Sequence, residues 1–338
     1  KKNIPITILL FGAYFQTFLL FSVNVDEKVN SILSPISNQV ANIVFYSISF
    51  GDFSFPLILA WLIAASLFCT FYFKFINIRG FLLALSFLSS KNKIDKNAPG
   101  EVSHRQALWT ATAATVGLGN IAGVAIAVSL GGPGATFWMI LAGFLGMSLK
   151  FCECTLGVKY RVINSDGSVS GGPMYYLSIG LKEMGFTKLG KFLAIMFSIC
   201  CIGGALGGGN MFQANQAWGI TKTTLESRFG MTFDGNESFV FGVMMAVLVG
   251  LVIIGGIKRI GSVTEKIIPI MCGVYVIASL VILGANAAEL PAAFGLIFSE
   301  AFSFEAGIGG FVGIAIQGIK RAVFSNEAGI GSAAIVHS

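Results

Sequence analysis

Uncharged stretches of roughly helical length recur along the whole chain. Six of them contain no Asp, Glu, Lys or Arg and cover residues 4–23, 55–73, 107–130, 192–218, 239–257 and 267–288. About 20 apolar residues are enough for a helix to cross the hydrocarbon of a bilayer. Two further apolar runs, 135–158 and 305–336, contain a few charged residues. The pattern therefore predicts eight membrane-spanning helices.

The character of these runs excludes a membrane barrel and a soluble protein. Barrel strands alternate apolar and polar residues over about 10 positions, whereas these runs are apolar on every face. Charged residues make up 11% of the chain and apolar residues 55%, while soluble domains carry about 25% charged residues. We therefore expect an all-α polytopic membrane protein.

The basic residues are divided unevenly between the two sides of the predicted membrane. If the N-terminus is cytoplasmic, 16 of the 22 Lys and Arg residues fall in cytoplasmic segments and three in external segments. An excess of basic residues on the cytoplasmic side is the usual pattern of membrane proteins. The pattern explains the net charge of +6, so we expect no nucleic-acid partner.

The first third of the chain divides into three predicted segments. The run at 1–23 starts with two lysines and fits either a cleaved signal peptide or an extra membrane helix. Residues 24–54 are predicted to be external, and 55–106 to hold a membrane helix followed by an amphipathic cytoplasmic connector. At the other end, the last apolar run stops at Ser338 without a turn signal. We therefore expect the sequence to be a fragment of a longer membrane protein.

Three glycines and an asparagine lie together in the middle of the third apolar run; they are Gly117, Gly119, Asn120 and Gly123. A glycine weakens a helix interior by about 1 kcal/mol relative to alanine, so the sequence favours an unwound turn there. Unwound backbone in a bilayer is tolerated where it lines a cavity, and secondary transporters use such breaks to bind substrate carboxylates and Na⁺. Glycines also serve close helix packing, but packing does not require the amide of Asn120.

Two further clusters combine glycines with polar residues. The sequence at 203–216 contains two G-x-x-x-G pairs, which are typical of close helix packing. In the same cluster Asn210 and Gln213 lie one helical step apart, so both can face a polar cavity. The cluster at 318–332 includes the pair Lys320–Arg321, which we expect to mark the cytoplasmic end of the last run.

The remaining charged and nucleophilic residues favour no enzymatic chemistry. Lys150 and Glu153 are three residues apart in one run, so the simplest interpretation is a self-neutralising pair on one helix face, with a proton relay as the alternative. The two histidines, His104 and His337, lie in a basic loop and at the chain end. No nucleophile–base set is apparent, so we expect that the protein is not an enzyme.

At these residues the chain resembles the alanine or glycine:cation symporter family. The stretches that carry the resemblance are Gly117–Val124, Gly131–Ala135 with Phe137–Trp138, Lys150–Arg161, Gly171–Tyr176 and Phe324–Ala333. The resemblance extends over about residues 100–338 in the order of the family, whereas the first hundred residues resemble it weakly.

The resemblance implies a LeuT-type fold, in which two five-helix units of inverted topology enclose a site at the membrane midplane. Residues 107–288 would then form the first five-helix repeat. Residues 289–338 would be an external connector and the start of the second repeat, whose remaining helices lie beyond this chain. The fold we expect is thus a LeuT-type inverted-repeat transporter that is truncated in its second repeat.

The resemblance also implies Na⁺-coupled import of a small neutral amino acid, alanine or glycine, across the plasma membrane of a bacterial cell. The residues implied to bind the substrate are Gly117, Leu118, Gly119, Asn210, Gln213, Gln317 and Gly318. The residues implied to bind the cation are Asn120 and, through their carbonyl groups, Ala113, Thr115 and Val116. By the same resemblance, Gln317 and Gly318 mark a break in the first helix of the second unit.

Three other functions remain open at this point. Glycine-rich breaks can form a continuous pore, which would make the protein an ion channel. Coupling to protons in place of Na⁺ is a variant of the transport mechanism. A structural or receptor-like membrane subunit would show neither ion flux nor amino-acid binding. The sequence does not distinguish glycine from L- or D-alanine, and it leaves the oligomeric state open.

Overall fold

The structure, a computed structural model, describes the backbone of residues 31–50, 53–89, 100, 102–233, 236–303 and 307–338. The apolar run at 4–23, with its prediction of a signal peptide or an extra helix, lies outside these residues. Within the described part the chain is helical apart from two short hairpins and the connections between elements.

Fifteen helices are described in chain order: α1 (31–44), α2 (Leu57–Tyr72), α3 (Ile76–Arg79), α4 (Phe81–Ser89), α5 (His104–Thr115), α6 (Leu118–Gly131), α7 (Gly134–Lys159), α8 (Pro173–Glu183), α9 (Thr187–Gly204), α10 (Phe212–Phe229), α11 (Asn236–Ile253), α12 (Gly256–Ala285), α13 (Leu290–Ala301), α14 (Gly307–Asn326) and α15 (Ser332–His337). The antiparallel hairpins are β1 (Ser47–Phe50) with β2 (Phe53–Pro56) and β3 (Val162–Ile163) with β4 (Val169–Ser170). A π-helical segment (Ala205–Met211) joins α9 to α10, and a 3₁₀ turn (Ala287–Glu289) precedes α13.

Four helical stretches of the described chain are long and apolar enough to cross a membrane: His104–Gly131, Gly134–Lys159, Thr187–Phe229 and Gly256–Ala285. A fifth is possible if α2 and the helices after it, which are bent by 62°, act as one span. These stretches fall on five of the eight predicted runs, and they make the chain an integral membrane protein. Of the other predicted runs, 239–257 forms the shorter apolar helix α11, and 305–336 is divided between α14 and α15.

The chain divides into two compact units. The first contains the described residues up to Tyr46 together with Asn210–Leu251. In this unit Trp218 packs against the rings of Phe233 and Phe241, at centroid distances of 5.6 and 5.5 Å. The second unit contains Ser47–Gly209 and Val252–Ser338, and it includes the broken helix predicted at residues 107–130.

The ends of several helices follow local sequence signals. Ser103 caps α5, since its hydroxyl accepts from the Gln106 N–H at 3.2 Å and the Gln106 side chain accepts from the Ser103 N–H at 3.1 Å; such a reciprocal pair is a capping box. Pro173 occupies the first turn of α8, where its missing N–H is not needed. Gly230 ends α10 in the left-handed region, with φ 63°, a conformation that glycine adopts without strain.

The turn between β3 and β4 is built by Asp166, Gly167 and Ser168, residue types that are typical of turns. Gly167 has a positive φ of 79°, and Ser168 donates from its N–H and its hydroxyl to Asp166 Oδ1 at 2.9 and 2.6 Å. These hydrogen bonds stabilise the charged carboxylate and lower the pKa of Asp166 below its usual value. This polar hairpin connects α7 to α8.

The long helix α7 is the centre of the second unit, where it packs against α2, α6, α13, α14 and α15. Small residues allow these approaches: a Cβ atom added to Gly134 would overlap the Ala301 nitrogen, and one added to Gly157 would lie 2.8 Å from the Ala334 carbonyl oxygen. Small residues at contacts between membrane helices are the usual means of close packing. Through these contacts α7 packs along both α14 and α15.

Polar contacts join α5 to α12 on another side of the unit. Arg105 pairs with Glu265 at 3.0 Å, and the hydroxyl groups of Thr110 and Thr264 lie 2.9 Å apart. Gly261 packs beside Gln106. These contacts hold the first half of the predicted broken helix against the fifth helix of the expected first repeat.

The Gly134–Ala301 contact generates a stability prediction. In the full-length protein, Gly134→Ala should lower the midpoint of thermal unfolding, because its Cβ would overlap the backbone of Glu300 and Ala301; overpacking of this kind costs about 1–3 kcal/mol. The matched control is Gly295→Ala on α13, where nothing lies within 4 Å of the new Cβ. Equal unfolding midpoints for the two variants, measured in the same detergent, would show that this close approach is absent.

Candidate functional site

The helix predicted to open near Leu118 is interrupted at that place. α5 ends at Thr115 and α6 starts at Leu118, with Val116 (φ −89°, ψ 93°) and Gly117 (φ −150°, ψ −149°) in extended conformations between them. Two extended residues cannot continue the N–H(i)→O=C(i−4) ladder of an α-helix. Polar backbone groups are therefore released inside a span of 28 residues, as the glycine cluster predicts.

Asn120 holds the two sides of this first break together. Its Nδ2 donates to the Thr115 carbonyl oxygen at 3.0 Å, and its backbone N–H donates to the Gly117 carbonyl at 3.1 Å. Thr115 in turn donates from its hydroxyl to the Ala111 carbonyl at 3.0 Å. The structure thus brings Thr115, Gly117 and Asn120, all sequence-predicted site residues, into direct contact.

The second break lies further along the chain than the sequence suggests. α14 is continuous through Gln317 and Gly318 and ends at Asn326; the chain then turns through residues 327–331 before α15 starts at Ser332. In this connection Glu327, Gly329 and Gly331 have positive φ angles of 50°, 90° and 87°. The prediction of a helix break at Gln317 and Gly318 is therefore wrong.

Gly318 has a packing role that explains the error. A Cβ atom at this position would overlap the Ala135 carbonyl oxygen and lie 2.7 Å from the Trp138 Cβ, so the glycine allows α14 to approach α7. Gln317 lies beside Gly131 of α6. Lys320 and Arg321 also lie within α14, which continues for five residues beyond Arg321; that they mark the cytoplasmic end of the run stays a prediction.

The two broken helices lie beside each other in opposite directions. α6 contacts α14, with Gly119 next to Ser325 and Gly131 next to Gln317, so the residue numbers increase along one helix as they decrease along the other. α5, on the far side of the first break, contacts α15, on the far side of the second. The breaks at 116–117 and 327–331 therefore lie at the same level of the second unit.

Ser325 is a polar residue of this region that the sequence analysis did not assign to the site. It is 4% exposed, and its hydroxyl oxygen is buried and finds no hydrogen-bond partner among the described residues. A Cβ atom on Gly119 would lie 2.8 Å from the Ser325 Cα and 3.2 Å from its Oγ. The sequence gives one signal for this residue, its position in the glycine-rich stretch 318–332.

Two of the predicted substrate residues belong to the first unit. Asn210 is exposed on the π-helical segment, and Gln213 is half-buried on α10. A π-helical turn within an α-helix is frequently found at functional sites. The contribution of these two residues to the same site as Gly117, Leu118 and Gly119 stays a prediction, as do the ligand roles of the carbonyl groups of Ala113 and Val116.

Lys150 and Glu153, the pair predicted on one face of α7, still interact electrostatically but lie beyond ion-pair distance, and both also contact the second break. Among the described residues, ion pairs within 4.0 Å join Arg105 to Glu265 and Lys222 to Glu226. Lys150 Nζ donates to the Glu327 carbonyl oxygen at 3.0 Å. The backbone N–H groups of Gly329 and Gly331 are directed at the Glu153 carboxylate. The spacing of three residues places both side chains on one face of α7, but that face meets the 327–331 connection.

The sequence model of the sodium:alanine symporter family matches residues 38–338 of the chain. The chain is 44% identical over 281 residues to the sodium/alanine symporter AgcS of Methanococcus maripaludis, an alignment that covers 83% of this chain and 59% of AgcS.

Two Bacillus subtilis proteins show the range of the relatives. A putative sodium/proton-dependent alanine carrier protein, YrbD, is 38% identical over 70% of this chain and 46% of its own length. A probable sodium/glutamine symporter, GlnT, is 33% identical over 82% of this chain and 54% of its own length. The chain spans about half the length of the curated relatives it matches.

Proposed function

The chain belongs to the sodium:alanine symporter family, and from this membership and the paired helix breaks we propose that it is part of a Na⁺-coupled importer of small neutral amino acids. Alanine and glycine are the proposed substrates, and Na⁺ is carried with them across the plasma membrane. The fold that we propose for the whole protein is the LeuT-type arrangement of two inverted repeats, of which this chain holds the first and the beginning of the second.

The observation that carries the proposal is the antiparallel contact between the two broken helices. A break leaves N–H and C=O groups unpaired, which is tolerated in a bilayer where the backbone lines a cavity. Here the breaks at 116–117 and 327–331 lie beside each other. Two such breaks present helix ends of opposite polarity to one place, and this suits a zwitterion with its coupling ion.

The first break supplies the proposed site for the substrate carboxylate. α6 begins there, so the N–H groups of Gly117, Leu118 and Gly119 belong to the free N-terminal end of a helix. The helix dipole at this end attracts an anion. Gly119 is buried against Ser325, so the two broken helices are in close contact at the proposed carboxylate site.

The proposed Na⁺ ligands are oxygen atoms around the same break. They are the Asn120 side-chain oxygen and the carbonyl oxygens of Ala113, Thr115 and Val116. Asn120 already donates to the Thr115 carbonyl, which orients its amide and leaves its Oδ1 as the acceptor for the cation. Neutral oxygen donors are typical ligands of hard cations. We add the buried Ser325 hydroxyl, which lies next to Gly119, as a further ligand.

The remaining residues of the proposed pocket differ in one respect from those that the sequence analysis names. Asn210 and Gln213 stay proposed substrate residues on the basis of the sequence resemblance alone. The 327–331 connection takes the place that the sequence assigned to Gln317 and Gly318, because the interruption of α14 lies there. Alternating access then requires the two repeats to move around these fixed breaks.

The coupling ion and the substrate have specific competitors. The name of YrbD includes protons as well as sodium, and the name of GlnT includes glutamine. Proton coupling is therefore the second candidate mechanism, and glutamine is a further substrate to be compared with alanine. A channel remains the alternative of a different class, since glycine-rich breaks can also line a pore.

The function is tested by uptake into proteoliposomes of the full-length protein. With an inward Na⁺ gradient, labelled alanine and glycine should accumulate with saturable kinetics, because a symporter binds its substrate before each transport event. An imposed pH gradient without Na⁺ should drive no uptake. Accumulation on the pH gradient alone would identify proton coupling, and ion current without saturable uptake would identify a channel.

The site is tested by Asn120→Ala and Gly119→Val in the full-length protein. Asn120→Ala removes a cation ligand, and the loss of one hydrogen bond to a charged group is worth about 1.5–3 kcal/mol, so Na⁺-driven alanine uptake should fall by about tenfold or more. Gly119→Val should abolish uptake because its side chain would overlap Ser325 and force the two broken helices apart.

Matched controls for these variants lie elsewhere in the chain. Asn286→Ala removes an exposed asparagine at the end of α12, and Gly203→Val replaces a glycine with open space around it. Both controls should transport like the unmodified protein. Wild-type uptake by Asn120→Ala and Gly119→Val would remove the first break from the site.

A further inference from the structure

We propose that Lys150 and Glu153 of α7 are positioning residues that hold the 327–331 connection in shape, so that α7 sets the geometry of the second break. The inference rests on the proposed function for its effect on transport. It concerns side chains that touch the backbone of the connection and that have no direct part in binding the substrate or the ion.

Lys150 forms a hydrogen bond with Glu327, the strained first residue of the connection. Glu327 has a φ of 50°, a left-handed conformation that is unfavourable for a residue with a Cβ atom. Its carbonyl oxygen accepts from Lys150 Nζ at 3.0 Å, and its side-chain Oε2 accepts from the Ser332 hydroxyl at 2.5 Å. Strained residues persist where surrounding contacts determine their conformation, and here these contacts come from α7 and from the first residue of α15.

Glu153 holds the second half of the connection from the same face of α7. The N–H groups of Gly329 and Gly331, both with positive φ angles, are directed at its carboxylate. Glu153 is 6% exposed, and its Oε2 is buried and has no hydrogen-bond partner in the part of the chain that the structure describes. A buried carboxylate that is only partly satisfied is an expensive way to stabilise a protein, so Glu153 is better suited to orienting the backbone N–H groups than to stabilising the fold.

Packing holds the connection on several sides, with Gly329 close to Leu62 and Gly331 close to Pro173. Gly146 and Gly157 of α7 lie against Ala328 and Ala334, and these contacts place α7 alongside the break. On the side of α2, however, a cavity of about 30 Å³ is lined in part by Asn326 and Ala328. Because this volume could hold a water molecule, the connection has room to move there unless the two charged side chains restrain it.

The consequence is that loss of either tether should loosen the second break while the helices stay folded. Backbone amides of residues 327–333 should then exchange with solvent more readily, since local opening governs hydrogen exchange. The half of the site formed by the second break would be less well organised. Substrate affinity should fall, because part of the binding energy would be used to order the connection.

The test compares Lys150→Met and Glu153→Ala with two conservative variants in the full-length protein. Hydrogen exchange followed by mass spectrometry should show about tenfold faster exchange of residues 327–333 in both variants, the effect of losing one hydrogen bond to a charged group. Peptides from α12 should be unchanged. Lys150→Arg and Glu153→Gln keep a donor and an acceptor at these positions and should retain most of the protection.

Two exposed charged residues provide matched controls. Lys159→Met replaces an exposed lysine at the end of α7, and Glu183→Ala replaces an exposed glutamate at the end of α8. Both should exchange and transport like the unmodified protein. In uptake assays, Lys150→Met and Glu153→Ala should raise the KM for alanine by about tenfold, and the conservative variants should restore it.

Each contrary outcome overturns the proposal. Unchanged exchange at 327–333 in Lys150→Met and Glu153→Ala contradicts it even if uptake is lost, because the residues would then act directly on the substrate or on a proton. Faster exchange throughout the second unit contradicts it as well, since the role would be general stability. The exchange measurement needs no transport activity. It therefore still tests this proposal if the proposed function is wrong.

Discussion

The structure depends on one constraint, that polar backbone groups inside a bilayer must be paired within the protein or line a cavity. Continuous helices meet it along the described spans of α7 and α12. Two interruptions, at 116–117 and 327–331, do not meet it by themselves. Their antiparallel contact places the released groups in one region, which is consistent with the binding of a ligand that carries both signs of charge.

Small residues make this arrangement possible. Gly119 allows α6 to reach Ser325, Gly318 allows α14 to reach α7, and Gly134 allows α7 to reach the end of α13. In each case a Cβ atom would overlap backbone or Cβ atoms of the neighbouring helix. Glycines in this chain therefore serve two purposes, and the neighbours of a glycine decide whether it breaks a helix or packs one.

This double use of glycine explains which parts of the site could be predicted from the sequence. The first break was predictable, because Gly117, Gly119 and Asn120 lie within an uncharged run whose length identifies a membrane helix. The second break was placed wrongly at Gly318. This glycine packs against Ala135 instead, and such packing depends on tertiary contacts that the sequence does not reveal. The contacts of Lys150 were missed for the same reason, because helical spacing does not reveal that the 327–331 connection approaches α7.

The central claim, that the two breaks form one binding site, is tested most directly by a structure of the full-length protein determined with alanine and Na⁺. We predict an alanine carboxylate on the N–H groups of Gly117–Gly119, a cation on Asn120, and contact between the ligands and the 327–331 connection. An alanine molecule bound elsewhere, with neither break in contact with it, would contradict the account.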